Sequence, residues 1–196
     1  MIFANEYGFL PENDGLTNAQ AFQKAVDECG NIFVEKPGVY ELADTIKIGD
    51  DTVLCFGSGV YIKRIRNTDE TGNAFINKGA YTHSYNNNIK IIGLRLICNN
   101  VVCEYKGKGK TIVGLKGHIS FHYVKNVLIS DFECIDLPAQ DFAIQVCTFE
   151  DLIVENVHIE GLKDGVHLGR GRNFIIRNGI FKTYDDTIAL NAHDNS

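Results

Sequence analysis

Three aspartates near the end of the chain have a spacing that could do chemistry. Asp164 stands in Lys163-Asp164-Gly165-Val166-His167, and Asp185-Asp186 stand in Tyr184-Asp185-Asp186-Thr187-Ile188, 21 and 22 residues further on. If the chain repeats every 22 residues as parallel rungs, about 4.8 Å apart, the three carboxylates converge on one surface. Crowded like charges raise the pKa of one carboxyl, so that one group can hold a proton while another activates water. Aspartates in D-G and D-D turns also cap strands and bond their own backbone. Asp141 weighs that alternative: it lies 23 residues before Asp164, and mere turn formers would run 141, 164, 186, leaving Asp185 unexplained. Strict alternation turns His167 outward beside Asp164, where it either contacts substrate, tunes Asp164 or simply lies on the surface. His193 and Asp194 follow the next strand and could line the same groove. Lys163, Arg170, Arg172 and Lys182 form a local basic cluster that suits an acidic polymer or ordinary solvated turns.

The elements that must position these residues are short strands. Asn88–Leu96, Asn126–Cys134, Asp151–Ile159 and Asn173–Phe181 share one pattern: polar cap, apolar strand, small or polar turn, second strand. Ile144, Val166 and Ile188, each 22 residues from the next, give the period of an interleaved series. Asp131, Asn156 and Asn178 should recur at one corner, since Asp and Asn tolerate the left-handed backbone. The expected fold is all-β: a right-handed single-stranded parallel β-helix with one short N-terminal capping helix. Thr17 is expected to cap that helix, Phe22, Ala25, Val26 and Cys29 to form its apolar face and Gly30 to end it. Residues 1–196 are expected to be a single domain. Its first 66 residues form the cap and first strands, and residues 67–196 form regular coils with a Gly/Lys loop at 104–110. Leucine-rich repeats and doubly wound α/β folds are excluded by the lack of repeated helices.

The stretch Asn5–Tyr40, with its D-G turn, single helix and Pro37-Gly38-Val39-Tyr40, resembles the opening of pectate-lyase-superfamily proteins. Lys163–His167 followed one coil later by Tyr184–Leu190 resembles the polygalacturonase-like glycoside hydrolases, family 28 and its relatives. That resemblance implies inverting hydrolysis of a pectic or related polymer. Asp186 would be the general acid, and Asp164 with Asp185 would hold and activate water. His167, Lys163, Arg170 and His193 would contact the sugar. Inversion calls for roughly 6.5–9.5 Å between the carboxyl groups, a distance adjacent rungs should supply. The family's Asn-Thr before the first aspartate is replaced by Leu162-Lys163, and its Gly-His-Gly and Arg-x-Lys motifs would fall beyond Ser196. A C-terminally truncated chain is therefore expected, with open strand edges available for self-association. Family resemblance suggests secretion or a periplasmic location, although the N-terminus carries no export signal.

Composition narrows the partners. A net charge of −6 argues against nucleic acid, and no run is apolar enough for a membrane span. Six cysteines without a CxxC pair exclude zinc-finger spacing, and neither a metal site nor a cofactor is expected. Cys98 and Cys103 are the one close pair, and a disulfide between them requires an oxidising compartment. The expected partner is a polysaccharide or oligosaccharide. Two other functions stay open: a lyase or epimerase on the same scaffold, and a non-catalytic carbohydrate-binding or phage-spike module. In the latter, Tyr81, Tyr85, Phe121 and Tyr123 would matter more than the aspartates, with His83, His118 and His122 nearby.

Overall fold

In the computed structural model, which describes residues 1–66, 72–103, 112 and 114–193, the chain winds as a right-handed parallel β-helix of about 6 turns. One face stacks Ile46–Ile48, Phe75–Asn77, the first parts of Gly117–Ser130 and Phe142–Glu155, then Val166–Leu168 and Ile188–Leu190. A second runs from Ile2–Phe3 through Asn31–Val34, Val53–Phe56 and Asn86–Ile92 to the later parts of the two 14-residue strands and Gly171–Arg177. The third stacks Gly38–Leu42, Val60–Arg64 and Leu96–Ile97, and continues through a bridge from Arg95 to Glu133 into Glu133–Leu137, His158–Gly161 and Ile180–Thr183.

The core consists of ladders, because each coil repeats the inward positions of the one before. Ile46, Phe75, Ile119, Ile144, Val166 and Ile188 stand in register, and the first five are fully buried while Ile188 is 39% exposed. Ile32, Leu54, Ile91, Ile129 and Val154 form a second buried column. Corners are made by residues that accept positive φ. Asp131, Asn156 and Asn178 have φ of 54°, 55° and 55°, and each asparagine side-chain N–H donates to the residue one coil back, at 3.3 and 3.2 Å. The ladder expected from their recurrence is therefore present, and it satisfies polar groups that a corner would otherwise leave without partners.

The single α-helix among the described residues, α1 (Gly15–Cys29), packs against Gly38–Leu42 and Ile46–Ile48. Its buried face is Ala19, Phe22, Ala25 and Val26, with the Phe22 ring stacked on Phe9 at 4.6 Å. Gly30 ends it at φ 68° as expected, but its N-cap is Asp14, not Thr17. The Asp14 carboxylate accepts from the amides of Leu16 and Thr17, both at 2.9 Å, so the helix is capped three residues earlier than the sequence pattern suggested. No described helix is long and apolar enough to cross a membrane. The expected Gly/Lys loop at 104–110 lies outside the described residues.

The structure also places the cysteines and the basic residues. All six cysteines are free, and the neighbour of Cys98 is Cys134 on the next coil, with the sulfurs 3.4 Å apart, rather than Cys103. The basic cluster is dispersed by the period itself. Arg172, Arg177 and Lys182 each pair with a glutamate 22 residues earlier, Glu150, Glu155 and Glu160.

Candidate functional site

The register of Ile144, Val166 and Ile188 continues to the start of these strands. Ala143 N–H donates to the Asp164 carbonyl at 3.1 Å and Gly165 N–H to the Asp186 carbonyl at 2.9 Å. Phe142, Asp164 and Asp186 consequently form one column across three coils, and Asp141, Lys163 and Asp185 form the column beside it. Asp141 is therefore not the predecessor of Asp164; a step of 23 crosses columns. Gly165 allows the coils to close here, since a Cβ would stand 2.8 Å from both the Phe181 ring and the Thr187 carbonyl oxygen.

The three carboxylates do converge, with an oxygen from each of Asp164, Asp185 and Asp186 within 4.8 Å of the others. Asp164 is buried, whereas Asp185 and Asp186 are exposed. Lys163 is seated among them: its ammonium contacts Asp185 and lies 3.6 Å from Asp164 Oδ1. His167 stands beside Asp164 as expected, with Nδ1 2.7 Å from Oδ2, but it is 3% exposed rather than a surface residue. Its outer side is covered by Phe142, whose ring stacks on the imidazole at 4.0 Å and 9°. Asn191 Nδ2 lies 3.4 Å from the other ring nitrogen, so both nitrogens of His167 face polar groups and its orientation is fixed.

Other expected site residues lie elsewhere. Arg170 follows the far end of the strand Val166–Leu168 and lines a separate depression with Tyr85, Phe149 and Arg172. His193 is exposed after the strand Ile188–Leu190, and Asp194 lies outside the described residues. Phe121 belongs to the core at 0% exposure, and His118 and His122 are buried, which removes all three from a surface group of aromatics. Tyr85, Tyr123 and His83 do form an aromatic group, with His83 stacked on Tyr123 at 5.3 Å. A larger groove, about 690 Å³, lies along α1 between Gln20, Lys24, Thr45 and Lys78, away from the aspartates. Phe142 and Asn191 were missed. Subtracting one period of 22 from Asp164 would have found Phe142, and stepping on from His167 through the next strand would have pointed to Asn191.

The sequence pattern of glycosyl hydrolases family 28 matches residues 60–196. No curated protein matches the sequence as a whole. Among solved structures, the chain is similar to a 1,3-α-1,4-β-D-galactose-4-sulfate-3,6-anhydro-D-galactose-2-sulfate 4 galactohydrolase, with TM-score 0.65 and 15% identity over 100% of this chain and 47% of that one. It is also similar to PfbA, a surface adhesin of Streptococcus pneumoniae, with TM-score 0.60 and 16% identity over 87% of this chain and 49% of that one. Gene product 12 of bacteriophage phi29 follows with TM-score 0.55 and 17% identity, over 97% of this chain and 32% of that one. The chain thus spans about half the length of the first two, and identities this low show a shared fold.

Proposed function

The chain belongs to glycosyl hydrolases family 28, whose pattern covers residues 60–196, and on that footing we propose that it hydrolyses glycosidic bonds of a pectic or related polysaccharide at Asp164, Asp185 and Asp186. The supporting observation is the gathering of these three carboxylates within 4.8 Å by a one-coil spacing. In this reading Asp186, protonated, gives its proton to the leaving glycosidic oxygen as the bond to the anomeric carbon breaks. Asp164 and Asp185 take a proton from the water whose oxygen forms the new bond, so the site ends with the same number of protons. His167 holds Asp164 in place, and Lys163 offers a cation to an acidic sugar.

The test is release of new reducing ends from a panel of pectic and sulfated galactan polymers. Asp186→Asn, an exposed and isosteric change, is expected to lower the rate about 10²–10⁴-fold; equal activity in that variant would sink the assignment. Proton NMR of the first product decides the stereochemistry. An inverted anomer supports direct displacement, while a retained one overturns it. Unsaturated or epimerised products would move the site to lyase or epimerase chemistry. The exposed Tyr85 and the half-buried Tyr123 beside it favour a second reading, a glycan-binding module without turnover. That reading expects saturable binding that Tyr85→Ala weakens and Asp186→Asn leaves intact.

A further inference from the structure

The described residues contain a second group of potential ligands, away from the surface aspartates. Cys103, His118 and Asp141 come from three consecutive coils, all are buried, and one ligand atom of each lies within 4.8 Å of the others. Cys103 N–H donates to Asp141 Oδ2 at 2.8 Å, and His118 Nε2 stands 3.6 Å from the same oxygen. Both ring nitrogens of His118 and Asp141 Oδ1 are buried without a hydrogen-bond partner. Buried polar atoms are ordinarily paired, so an unpartnered imidazole nitrogen and an unpartnered carboxylate oxygen beside a buried thiol are the mark of an absent ligand. We propose that Cys103, His118 and Asp141 bind one zinc-class divalent cation that ties the three coils together.

The donor set selects the ion. One sulfur, one imidazole nitrogen and one carboxylate oxygen suit Zn²⁺ or Co²⁺ and disfavour Ca²⁺ or Mg²⁺, which take oxygen ligands. Burial lowers the pKa of His118 to about 3, which keeps its imidazole in the neutral, ligating form. Burial raises the Cys103 thiol, and a bound cation would oppose that by stabilising the thiolate. The buried Arg64 guanidinium is a nearby positive charge that interacts with Cys103, Cys98, Asp141 and Asp44, and Lys116 acts on Asp141 as well. Two other clusters are poorer candidates. Asp136, beside Cys98 and Cys134, already accepts from the amides of Cys98 and Asn99 through its two oxygens. The cluster of Asp164, Asp185 and Asp186 has only oxygens, and Lys163 is seated among them.

The test uses the full chain, stripped with a strong chelator and titrated with Co²⁺. One equivalent should bind and produce a thiolate-to-cobalt charge-transfer absorption in the near ultraviolet. Cys103→Ser should lose that absorption and bind Co²⁺ at least tenfold more weakly, while Cys98→Ser should match the parent chain. Should Cys103→Ser fail to fold, Zn²⁺ should still raise the melting temperature of the parent chain, with His118→Gln showing no such rise. Absence of the absorption in the parent chain overturns the proposal. So does an unchanged absorption in Cys103→Ser, or binding that depends on Asp185 rather than Cys103.

Discussion

His118 with Asp141 and His167 with Asp164 are two histidine–aspartate pairs one coil apart along the solenoid, and they are built differently. The first joins side chains from neighbouring coils, 3.6 Å apart, both at 0% exposure. The second joins residues three apart in one coil at 2.7 Å, and its aspartate is next to two exposed carboxylates. Burial alone pushes the Asp141 carboxyl up to about 6, an environment suited to a structural group or a ligand. Asp164 keeps one oxygen on a fixed imidazole while its neighbours face solvent, an environment suited to handling a proton and a water. The same two residue types thus diverge because of what covers them.

The largest expected effect separates the pairs by activity. Asp164→Asn should reduce hydrolysis about 10²–10⁴-fold, whereas Asp141→Asn should act through the stability of the coils, lowering the melting temperature with a much smaller loss of rate; equal losses in steady-state assays would erase the distinction. Next comes Phe142→Ala, which removes the ring stacked on His167. Its ring is 8% exposed, so urea denaturation should show a loss of about 3 kcal/mol. A result near zero would mean that the imidazole is held by Asp164 and Asn191 alone.

Acid titration sharpens the contrast between the buried pairs and the outer ladders. Hydrogen bonds from Arg172 and Lys125 hold the Glu150 carboxyl below its usual range, and Lys182 with His158 does the same for Glu160. A carboxyl whose folded pKa is depressed contributes stability that is present above its unfolded value, about 4.3, and is lost as pH falls through the folded one. Melting temperatures should therefore fall between about pH 5 and pH 3, and Glu150→Gln with Glu160→Gln should flatten that slope. The smallest effect is expected at Lys163→Met. A half-exposed ion pair of this kind contributes no more than about 1 kcal/mol, and a larger loss in the same urea experiment would show that Lys163 organises the site.

The period carried most of what the sequence revealed. Ile144, Val166 and Ile188 repeat every 22 residues because a solenoid core permits no other inward positions, and Asn156 and Asn178 repeat because each corner requires the left-handed backbone. The aspartate cluster followed from the same spacing. Details set by local competition were less legible. Asp14 displaced Thr17 as the cap because its carboxylate accepts from the Leu16 and Thr17 amides and from the Thr17 hydroxyl as well. The meeting of Cys103, His118 and Asp141 could not be read, since the 38-residue step from Asn88 to Asn126 interrupts the period just where Cys103 stands.

The 22-residue spacing also makes the solenoid a ruler graduated in whole rungs. Asp164 and Asp186 meet because a single graduation separates them. A duplicate coil inserted between them would move the two carboxylates apart by one discrete increment, about 4.8 Å, with the corner asparagines handing their ladder to the new copy. Distances between functional groups on this scaffold are therefore set by counting, and they change in steps rather than continuously.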